Sequence, residues 1–391
     1  MKTLELFSGA GGLAKGLEQA GFEHVRLVEW NKHACATLQQ NFGSEKIFIG
    51  DVRDFTFTDV AGVDVVVGGP PCQPFSLGGK HQAERDQRDM FPYAIQAIRE
   101  LQPKAFIFEN VKGLLRQSFA DYFEYIVLRL TYPDFKPKFG LDWSLHLQLL
   151  RKLIFPTYQG LKYKVSYQLL NAADYGIPQQ RERVFLVGIR DDLAVNWQFP
   201  IATHSEQRLL WDKFVTGEYW VRHGLPVDEP MLTTTQQKMV KQMRQQALQP
   251  VTTAWQTVRD SVGHLPDPRS EHNLTDHLFR DGARVYPGHT GSDQDLPAKT
   301  LKAGNHGVPG GENMLRYRDG SVRYFTVHEA KLLQTFPADF QINGAWGEAM
   351  RQIGNAVPVA LAQLLGEKLW QTIRYAEPIN AFAALTLFAR G

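Results

Sequence analysis

Residues 3–30 read TLELFSGAGGLAKGLEQAGFEHVRLVEW, and this stretch decides the fold. A short β-rich run leads into a glycine-rich turn, an amphipathic segment follows, and a second β-rich run ends at an acidic residue. This order builds one unit of a parallel sheet covered by helices. Similar runs alternate with amphipathic segments along the first half of the chain, at 3–8, 24–30, 46–52, 64–69, 105–110 and 183–189. The alternation predicts an α/β fold with a Rossmann-like, mostly parallel sheet and helices on both faces.

The alternation divides the chain into three predicted parts. Residues 1–190 form the first domain, and 191–323, which are rich in Thr, Gln, His, Pro and Gly, form a smaller loop-rich domain. Apolar residues return at helical spacing in 324–391, and we expect the helix over 357–373 to pack back on the first domain. A basic segment, 129–164, has seven Lys/Arg against two Asp/Glu. It is either a solvated surface insertion or a phosphate-contacting surface.

Composition restricts the class of protein. With 391 residues, 43% apolar and 21% charged, the chain can bury a large core and is not a disordered protein. The formal net charge of +2 argues neither for nor against a nucleic acid partner. No apolar run approaches the length of a membrane span and no export signal is recognisable, so we expect a cytoplasmic protein without membrane association. Two cysteines, Cys35 and Cys72, provide neither a disulfide framework nor a metal site.

The glycine-rich turn, FSGAGGLA at 7–14, matches GxGxxA between a strand and a helix. Glu29 ends the next strand, where a carboxylate can accept both hydroxyls of a ribose, and Asp51 ends the third, where it could accept an adenine amine. Together they indicate an adenosine-bearing cofactor, which could be NAD, FAD or S-adenosylmethionine. A simple tight turn and, for Asp51, a helix N-cap are the structural alternatives.

Cys72 lies in GGPPCQPFS at 68–76, directly after an apolar strand, so its thiol is predicted at the mouth of the sheet. Cys35, by contrast, falls in a helical pattern and is expected to be a buried small hydrophobe. Glu109 ends the following strand at the same edge as Cys72, where a partly desolvated carboxyl group can hold or relay a proton. Arg181 and Arg183 precede another strand and could bind a phosphate or a carbonyl oxygen.

Five sequence blocks occur in the order that DNA cytosine-5 methyltransferases have: FSGAGG at 7–12, PPCQ at 70–73, ENV at 109–111, QRERVF at 180–185 and GNAVPVA at 354–360. The chain resembles that family over 1–190 and about 296–370. The resemblance implies methyl transfer from S-adenosylmethionine to C5 of a cytosine flipped out of double-stranded DNA, through a covalent Cys72–C6 adduct, with S-adenosylhomocysteine as product. It also implies that Glu109 acts at cytosine N3 and Arg183 at O2, while Arg181 steadies the cysteine loop and a nearby phosphate.

The same resemblance implies binding residues and no metal. The implied cofactor-binding residues are Phe7, Gly9, Ala10, Gly12, Glu29, Trp30, Asp51, Val52, Pro71, Met90, Asn355 and Val357. Residues 73–89 are predicted to form a mobile lid that closes on DNA, and its substrate-binding residues would be Gln73, Ser76, Lys80, Arg85 and Arg88. Residues 191–283 occupy the place of the family's target recognition domain. Their nine Lys/Arg against twelve Asp/Glu mean that phosphate attraction must come largely from elsewhere, such as the lid, the basic segment or 284–331.

Three other functions stay open at this point. An NAD-dependent dehydrogenase would explain the glycine-rich turn, but it offers no reason for PPCQ or ENV. A tRNA cytosine-5 methyltransferase has similar active-site blocks, and a DNA-binding regulator could use the same fold without turnover. The compact single chain resembles bacterial restriction-modification enzymes. We therefore expect a monomer, with a cognate restriction endonuclease as a separately acting partner.

Overall fold

The structure of the protein is a computed structural model, and it describes residues 1–71, 89–136, 141–152, 158–227, 232–303 and 313–376. In chain order its strands are β1 (Lys2–Leu6), β2 (Glu23–Glu29), β3 (Ile47–Ile49), β4 (Val65–Gly68), β5 (Ala105–Val111), β6 (Tyr163–Asn171), β7 (Gln179–Gln180), β8 (Glu182–Arg190), β9 (His204–Ser205), β10 (Thr253–Ala254), β11 (Ser292–Asp293), β12 (Ala298–Lys299), β13 (Met314–Arg316) and β14 (Val322–Tyr324). Its α-helices are α1 (Gly12–Gln19), α2 (Lys32–Phe42), α3 (Phe91–Leu101), α4 (Ala120–Thr131), α5 (Trp143–Arg151), α6 (Glu206–Phe214), α7 (Glu218–Arg222), α8 (Thr234–Gln246), α9 (Val258–Val262), α10 (Val327–Leu333), α11 (Trp346–Asn355) and α12 (Val359–Ile373).

The main sheet has the strand order β3-β2-β1-β4-β5-β8-β6. The first five strands in this order are parallel, β8 is antiparallel to β5, and β6 is antiparallel to β8. The predicted mostly parallel α/β fold is therefore confirmed. One expectation within it is wrong. The alternation predicts a parallel strand at 183–189, whereas the corresponding strand β8 is antiparallel to β5. An apolar strand covered on both faces has the same sequence pattern in either direction, so the pattern does not reveal the reversal.

Strand β6 is an addition to the predicted set of strands. It lies at the edge of the sheet, where Tyr163 and Leu170 are buried and most residues between them are partly or fully exposed. An edge strand with one partner does not need the sustained apolar run that marks the inner strands. The basic segment 129–164 therefore ends inside the sheet, at the first two residues of β6.

The sheet separates two hydrophobic clusters, and β4 shows how. Val66 belongs to the cluster that includes Phe106, Ile95 of α3 and Ile126 of α4. Its neighbours in β4, which point to the opposite face, belong to the cluster that includes residues of α1 and α12. Alternation along a strand directs successive side chains to opposite faces. Helices therefore cover the sheet on both sides, as predicted.

Helix α12 packs directly against α1. Leu361, Leu365 and Leu369 are fully buried in the same cluster as Leu17 of α1. The two helix backbones approach closely because α1 has a glycine at the contact. A Cβ added at Gly16 would lie 2.4 Å from the carbonyl oxygen of Val359.

The middle of the chain consists of short elements with a small core of their own. Leu209, Leu210 and Phe214 of α6 pack with Tyr219 and Trp220 of α7. The loop-rich character expected for 191–323 agrees with these short elements, although the sequence pattern did not reveal helices α6 to α8. None of the helices in the described parts of the chain is long and apolar enough to cross a membrane.

Candidate active site

The glycine-rich turn lies between β1 and α1 at the carboxyl edge of the sheet. Phe7, Gly9 and Gly11 all have positive φ angles, of 58°, 54° and 82°. Gly11 is the N-cap of α1, and a Cβ on Gly12 would lie 2.3 Å from the carbonyl oxygen of Val357. The left-handed conformation favours glycine at the first two glycine positions, and the close backbone approach requires it at Gly12. Ala10, between them, is fully buried.

Glu29 ends β2 beside this turn, and its carboxylate is held by backbone N–H groups. Oε2 accepts from Gly9 N at 2.8 Å, and Oε1 accepts from Trp30 N at 3.0 Å and from Asn31 N at 2.8 Å. These bonds join the end of β2 to the glycine-rich turn and fix the carboxylate between them. Each carboxylate oxygen has two lone pairs, so Oε2 keeps one acceptor position for a ligand hydroxyl.

Asp51 follows β3 and serves as the N-cap of a short 3-10 turn over Val52–Asp54. Both of its carboxylate oxygens accept from the Arg53 side chain, at 2.9 and 2.6 Å. Hydrogen bonds from that guanidinium hold the pKa of Asp51 below its ordinary value. The structural alternative for Asp51, a cap, is thus present, and the lowered pKa favours the ionised carboxylate. Val52 is buried.

Two exposed apolar side chains stand at the same edge. Trp30 is 71% exposed and Ile49 is 55% exposed, and Ile49 pairs with Glu29 in the register of β3 and β2. The sequence analysis named Trp30 but not Ile49. The available signal was an apolar residue at the end of a three-residue strand, immediately before the Gly50–Asp51 turn. Apolar surfaces beside two carboxylates suit a flat heterocycle joined to a ribose.

Glu109 and Arg183 lie together at the ends of β5 and β8. The Arg183 Nε is 2.8 Å from Glu109 Oε1, and both side chains are largely buried. Glu109 Oε1 has no partner in hydrogen-bond geometry, so the contact is an ion pair without a well-aligned hydrogen bond. Their strands are adjacent and antiparallel, which brings residue 183 opposite residue 111. Sequence reasoning placed both residues near the site, and their direct pairing depends on the reversed direction of β8.

The backbone that leads to Cys72 passes beside this ion pair. A Cβ added at Gly69 would lie 3.3 Å from Glu109 Oε2, and the Asn110 side-chain nitrogen donates to the Pro70 carbonyl oxygen at 2.9 Å. Met90 N donates to the Pro71 carbonyl oxygen at 3.1 Å. Asn110, which lies in the quoted ENV block but was not assigned a role, therefore anchors the Pro-Pro segment next to the glutamate.

Several predicted residues lie outside the described part of the chain. They are Cys72, Gln73, Ser76, Lys80, Arg85 and Arg88. The lid predicted for 73–89 falls there also, except for Asp89. Their placement and roles stay predictions. Asp89 accepts a hydrogen bond from the Tyr122 hydroxyl of α4 and another, at 3.2 Å, from the Phe91 backbone at the start of α3.

Arg181 lies two residues before Arg183 but has a different environment. Its side chain is 1% exposed. Nη2 donates to the carbonyl oxygen of Gly354 at 2.8 Å, and Nη1 donates to that of Leu301 at 3.3 Å. Burial, together with the like charge of Arg183, lowers the pKa of Arg181 from its ordinary value. Its two terminal nitrogens therefore connect Arg181 to backbone carbonyl groups of two distant segments, at Leu301 and at Gly354.

The segment after α11 closes the glycine-rich turn from the other side. Val357 is buried, and its carbonyl oxygen contacts the position of Gly12. The fully buried Gln334 donates to the carbonyl oxygens of Ile353, at 2.7 Å, and Ala356, at 3.3 Å. Asn355, between these two acceptors, is exposed. This segment is therefore fixed by backbone contacts while the Asn355 side chain remains available to a ligand.

Cys35 is buried on α2, as expected. Its Sγ donates to the carbonyl oxygen of Glu29 at 3.1 Å, and the side chain is 1% exposed. Burial raises the pKa of the Cys35 thiol to about 11. The thiolate is the reactive form of cysteine, so Cys35 is an unreactive thiol near neutral pH.

This burial predicts the thiol chemistry of the protein. At mildly alkaline pH in native buffer, iodoacetamide is expected to modify one cysteine quickly, and mass mapping is expected to identify it as Cys72. Cys35 should react only after denaturation, or as the pH approaches its raised pKa of about 11. The Cys72→Ser protein is the control, since it should show no fast phase. Rapid modification of Cys35 in the native protein would contradict the structure.

Three of the six described Lys and Arg side chains in the basic segment 129–164 form ion pairs, and a fourth is buried. Arg151 forms ion pairs with two carboxylates of α4, at 2.7 and 2.5 Å. Lys162 and Lys164 lie 3.3 and 3.7 Å from Asp191. Arg129 is buried and donates to the Tyr125 hydroxyl at 2.9 Å. These contacts favour a structural role for the segment over phosphate binding.

Comparison with protein families identifies one match that spans nearly the whole chain. The family model described as C-5 cytosine-specific DNA methylase matches residues 1–141 and 148–371. Among curated proteins, the chain is 31% identical over 388 residues to the type II methyltransferase M.PspPI of Psychrobacter, covering 97% of this chain and 81% of that protein. It is 29% identical over 377 residues to M.NgoMIV of Neisseria gonorrhoeae, covering 95% and 98%.

Solved structures show the same fold at low sequence identity. A candidate DNA modification methyltransferase encoded within an Escherichia coli prophage superposes with a TM-score of 0.58 at 18% identity, covering 96% of this chain and 99% of that one. A mutant of DNMT2 from Spodoptera frugiperda gives a TM-score of 0.58 at 17% identity, covering 94% and 99%. At these identities the likeness concerns the fold.

Proposed function

Because the chain belongs to the family of C-5 cytosine-specific DNA methylases and is thus a DNA cytosine-5 methyltransferase of the restriction-modification type, we propose that it methylates a cytosine flipped out of double-stranded DNA within a defined sequence. The observation that carries this proposal is the Glu109–Arg183 pair, which lies beside the Pro-Pro segment that leads to Cys72. A carboxyl group and a guanidinium held together at one edge can grip the N3 and O2 of one cytosine. A dehydrogenase or a pure binding protein has no need for that arrangement beside the segment that leads to Cys72.

The cofactor that fits the neighbouring edge is S-adenosylmethionine. In the described structure the Cα of Gly9 faces open space, since an added Cβ would meet nothing within 4 Å. Glu29 suits the ribose, while Trp30 and Ile49 offer apolar surface to the adenine and Asp51 an acceptor for its amine. Phe7, Gly12, Asn355 and Val357 surround the remaining part in this proposal, with Pro71, Met90 and Val52 as walls. When bound, S-adenosylmethionine supplies the methyl group as an electrophile and becomes S-adenosylhomocysteine.

The protein residues must make C5 of cytosine a nucleophile, because the aromatic ring is a poor one. The Cys72 thiolate forms a bond to C6, and the ring electrons move toward C5 while Glu109 donates a proton to N3. Arg183 holds O2 and keeps the ring in plane with the carboxyl group. After C5 has accepted the methyl group, a base removes the C5 proton. The C6–S bond then breaks, its electrons return to sulfur as thiolate, and N3 gives its proton back to Glu109.

Access to C6 requires that the cytosine leave the duplex. Both faces of a stacked base are covered, and extruding one costs roughly a few kcal/mol. In our proposal, residues 73–89 close over the extruded base and 191–283 read the flanking base edges. The lid is expected to become less sensitive to protease when DNA and S-adenosylhomocysteine are both present, and equal sensitivity in all conditions would contradict its closure.

Bisulfite sequencing of DNA from cells that express the protein tests the proposed function. It reports whether cytosine is methylated, at which position and in which sequence. Cells that express Cys72→Ser provide the background. A parallel assay with tritiated S-adenosylmethionine compares duplex DNA with tRNA as acceptor. Label in tRNA alone would favour a tRNA methyltransferase, and specific DNA binding without any methylation would favour a regulator.

A further inference from the structure

Arg181 has an unusual electrostatic environment for a side chain that is 1% exposed. None of the ion pairs between described residues includes it, and its Nε has no hydrogen-bond partner. Its other two nitrogens donate to carbonyl oxygens, and its neighbouring charges are Arg183, which opposes the guanidinium charge, and Glu109, which favours it. Burying a guanidinium without a directly paired carboxylate is costly. The arrangement therefore indicates that Arg181 positions the backbone segments that accept its hydrogen bonds.

The two carbonyl oxygens that accept hydrogen bonds from Arg181 belong to two different segments, one at the end of α11 and one after β12. Gly354 lies in the last turn of α11, next to Asn355 on the proposed cofactor side. Leu301 lies in the middle region, two residues after β12, which pairs in parallel with β7. The Thr300 hydroxyl also donates to the Gln180 carbonyl oxygen at 2.7 Å. The segment that carries Arg181 is thus attached to both regions.

The same two regions also touch each other directly. A Cβ added at Gly354 would lie 2.7 Å from Ala303 N and 2.7 Å from the Lys302 carbonyl carbon. Three residues further along the chain, the carbonyl oxygen of Val357 lies 2.3 Å from where a Cβ added at Gly12 of the glycine-rich turn would be. A continuous set of close backbone contacts therefore leads from the glycine-rich turn to the middle region. Arg181 stands where the two regions meet.

We infer that Arg181 and Gly354 form a junction that couples cofactor binding to DNA binding. This inference rests on the proposed function, which assigns Asn355 to the cofactor, and on the expectation that 284–331, which includes Leu301, attracts DNA phosphate. A cofactor bound between the glycine-rich turn and Asn355 further stabilises the end of α11, which backbone contacts already hold. It thereby holds Leu301 and the peptide after it in place before DNA arrives. Arg181 is in this view a positioning residue, and thermodynamic linkage requires that DNA strengthens cofactor binding by the same factor.

The test measures the dissociation constant of a short duplex that carries the recognised sequence, with and without saturating S-adenosylhomocysteine. The wild-type protein is expected to bind the duplex at least about fivefold more tightly with S-adenosylhomocysteine. Arg181→Lys keeps the charge but offers one ammonium group for two separated carbonyls, so the factor should fall toward one. Gly354→Ala should do the same without any change of charge, because its methyl group pushes the two regions apart.

Gly347→Ala is the matched control, since it lies on the same helix and an added Cβ meets nothing within 4 Å. It is expected to keep the wild-type factor. Thermal unfolding and S-adenosylhomocysteine binding without DNA show whether each variant is folded. If Arg181→Lys does not fold, the binding factor of Gly354→Ala decides the test. Folded variants that keep the wild-type factor overturn the inference, as does a wild-type enzyme that methylates DNA without coupling. A protein that methylates no DNA overturns the proposed function instead.

Discussion

Replacing Cys72 by serine is expected to lower the single-turnover rate of DNA methylation by at least about a thousandfold. A serine hydroxyl ionises far less readily than a thiol and is a weaker nucleophile toward C6. Without the bond to C6, C5 does not gain the electron density that it needs to attack a methyl group. The rate is measured with DNA and S-adenosylmethionine both saturating, so that a change in binding does not appear as a change in chemistry.

The matched control is Cys35→Ser, the same substitution at the other cysteine. A serine hydroxyl can still donate to the Glu29 carbonyl oxygen that Cys35 Sγ contacts at 3.1 Å. We expect this variant to methylate DNA within about twofold of the wild-type rate, because a buried thiol of raised pKa takes no part in the reaction. Retention of more than about a tenth of the wild-type rate by Cys72→Ser would refute covalent catalysis by this residue.

A second readout follows the adduct itself. In a duplex whose target cytosine carries fluorine at C5, no proton can leave from that carbon, so the enzyme remains bound to C6 after methyl transfer. Wild-type protein and Cys35→Ser are expected to form a complex with this duplex that survives denaturing electrophoresis. Cys72→Ser is expected to form none. A stable complex with Cys72→Ser would place the nucleophile elsewhere.

Replacing Glu109 by glutamine is expected to lower the methylation rate by about 10²- to 10⁴-fold, the usual contribution of a positioned acid or base. An amide keeps the size of the side chain but cannot transfer a proton to N3. It also replaces the carboxyl group 2.8 Å from the Arg183 Nε, so the guanidinium that is proposed to hold O2 loses that partner. Since the proton at N3 matters most in the transition state, the rate constant should change more than the affinity for DNA.

Glu182→Gln provides the control at the neighbouring strand. Glu182 also forms an ion pair, with Lys112 at 2.8 Å, but both side chains are well exposed. Exposed pairs contribute little to stability, so this variant should methylate DNA at nearly the wild-type rate. If Glu109→Gln and Glu182→Gln were equally active, Glu109 would be no more than a structural partner of Arg183.

Parallel strands explain why much of the candidate site could be predicted from sequence. The parallel strands β2, β3 and β5 all end at one edge of the sheet. Glu29, Asp51 and Glu109 each stand at the end of a β-rich run, so the sequence predicts all three close to that edge. The glycine-rich turn was equally predictable, because two of its three positive φ angles lie at glycines, which the sequence shows directly. These features depend on local pattern and on one general rule of sheet geometry.

Arg181 and Arg183 show where this reasoning stops. They are two residues apart in a block of paired charges, yet one ion-pairs with Glu109 and the other is buried between Leu301 and Gly354. Arg53 likewise binds the Asp51 carboxylate, an interaction that no motif marks. Partners 120 and 173 residues away along the chain decide the environment of Arg181. No local pattern around an arginine contains that information.

The sequence by itself determined the α/β fold, the glycine-rich turn and the acidic residues at the strand ends, because spacing and local backbone conformation are properties of neighbouring residues. Only the tertiary structure decided that β8 runs antiparallel and that an added edge strand, β6, completes the sheet. It also decided that Arg181 joins Gly354 to Leu301. These outcomes depend on which distant groups approach one another when the chain buries its apolar surface and satisfies its buried hydrogen-bond donors.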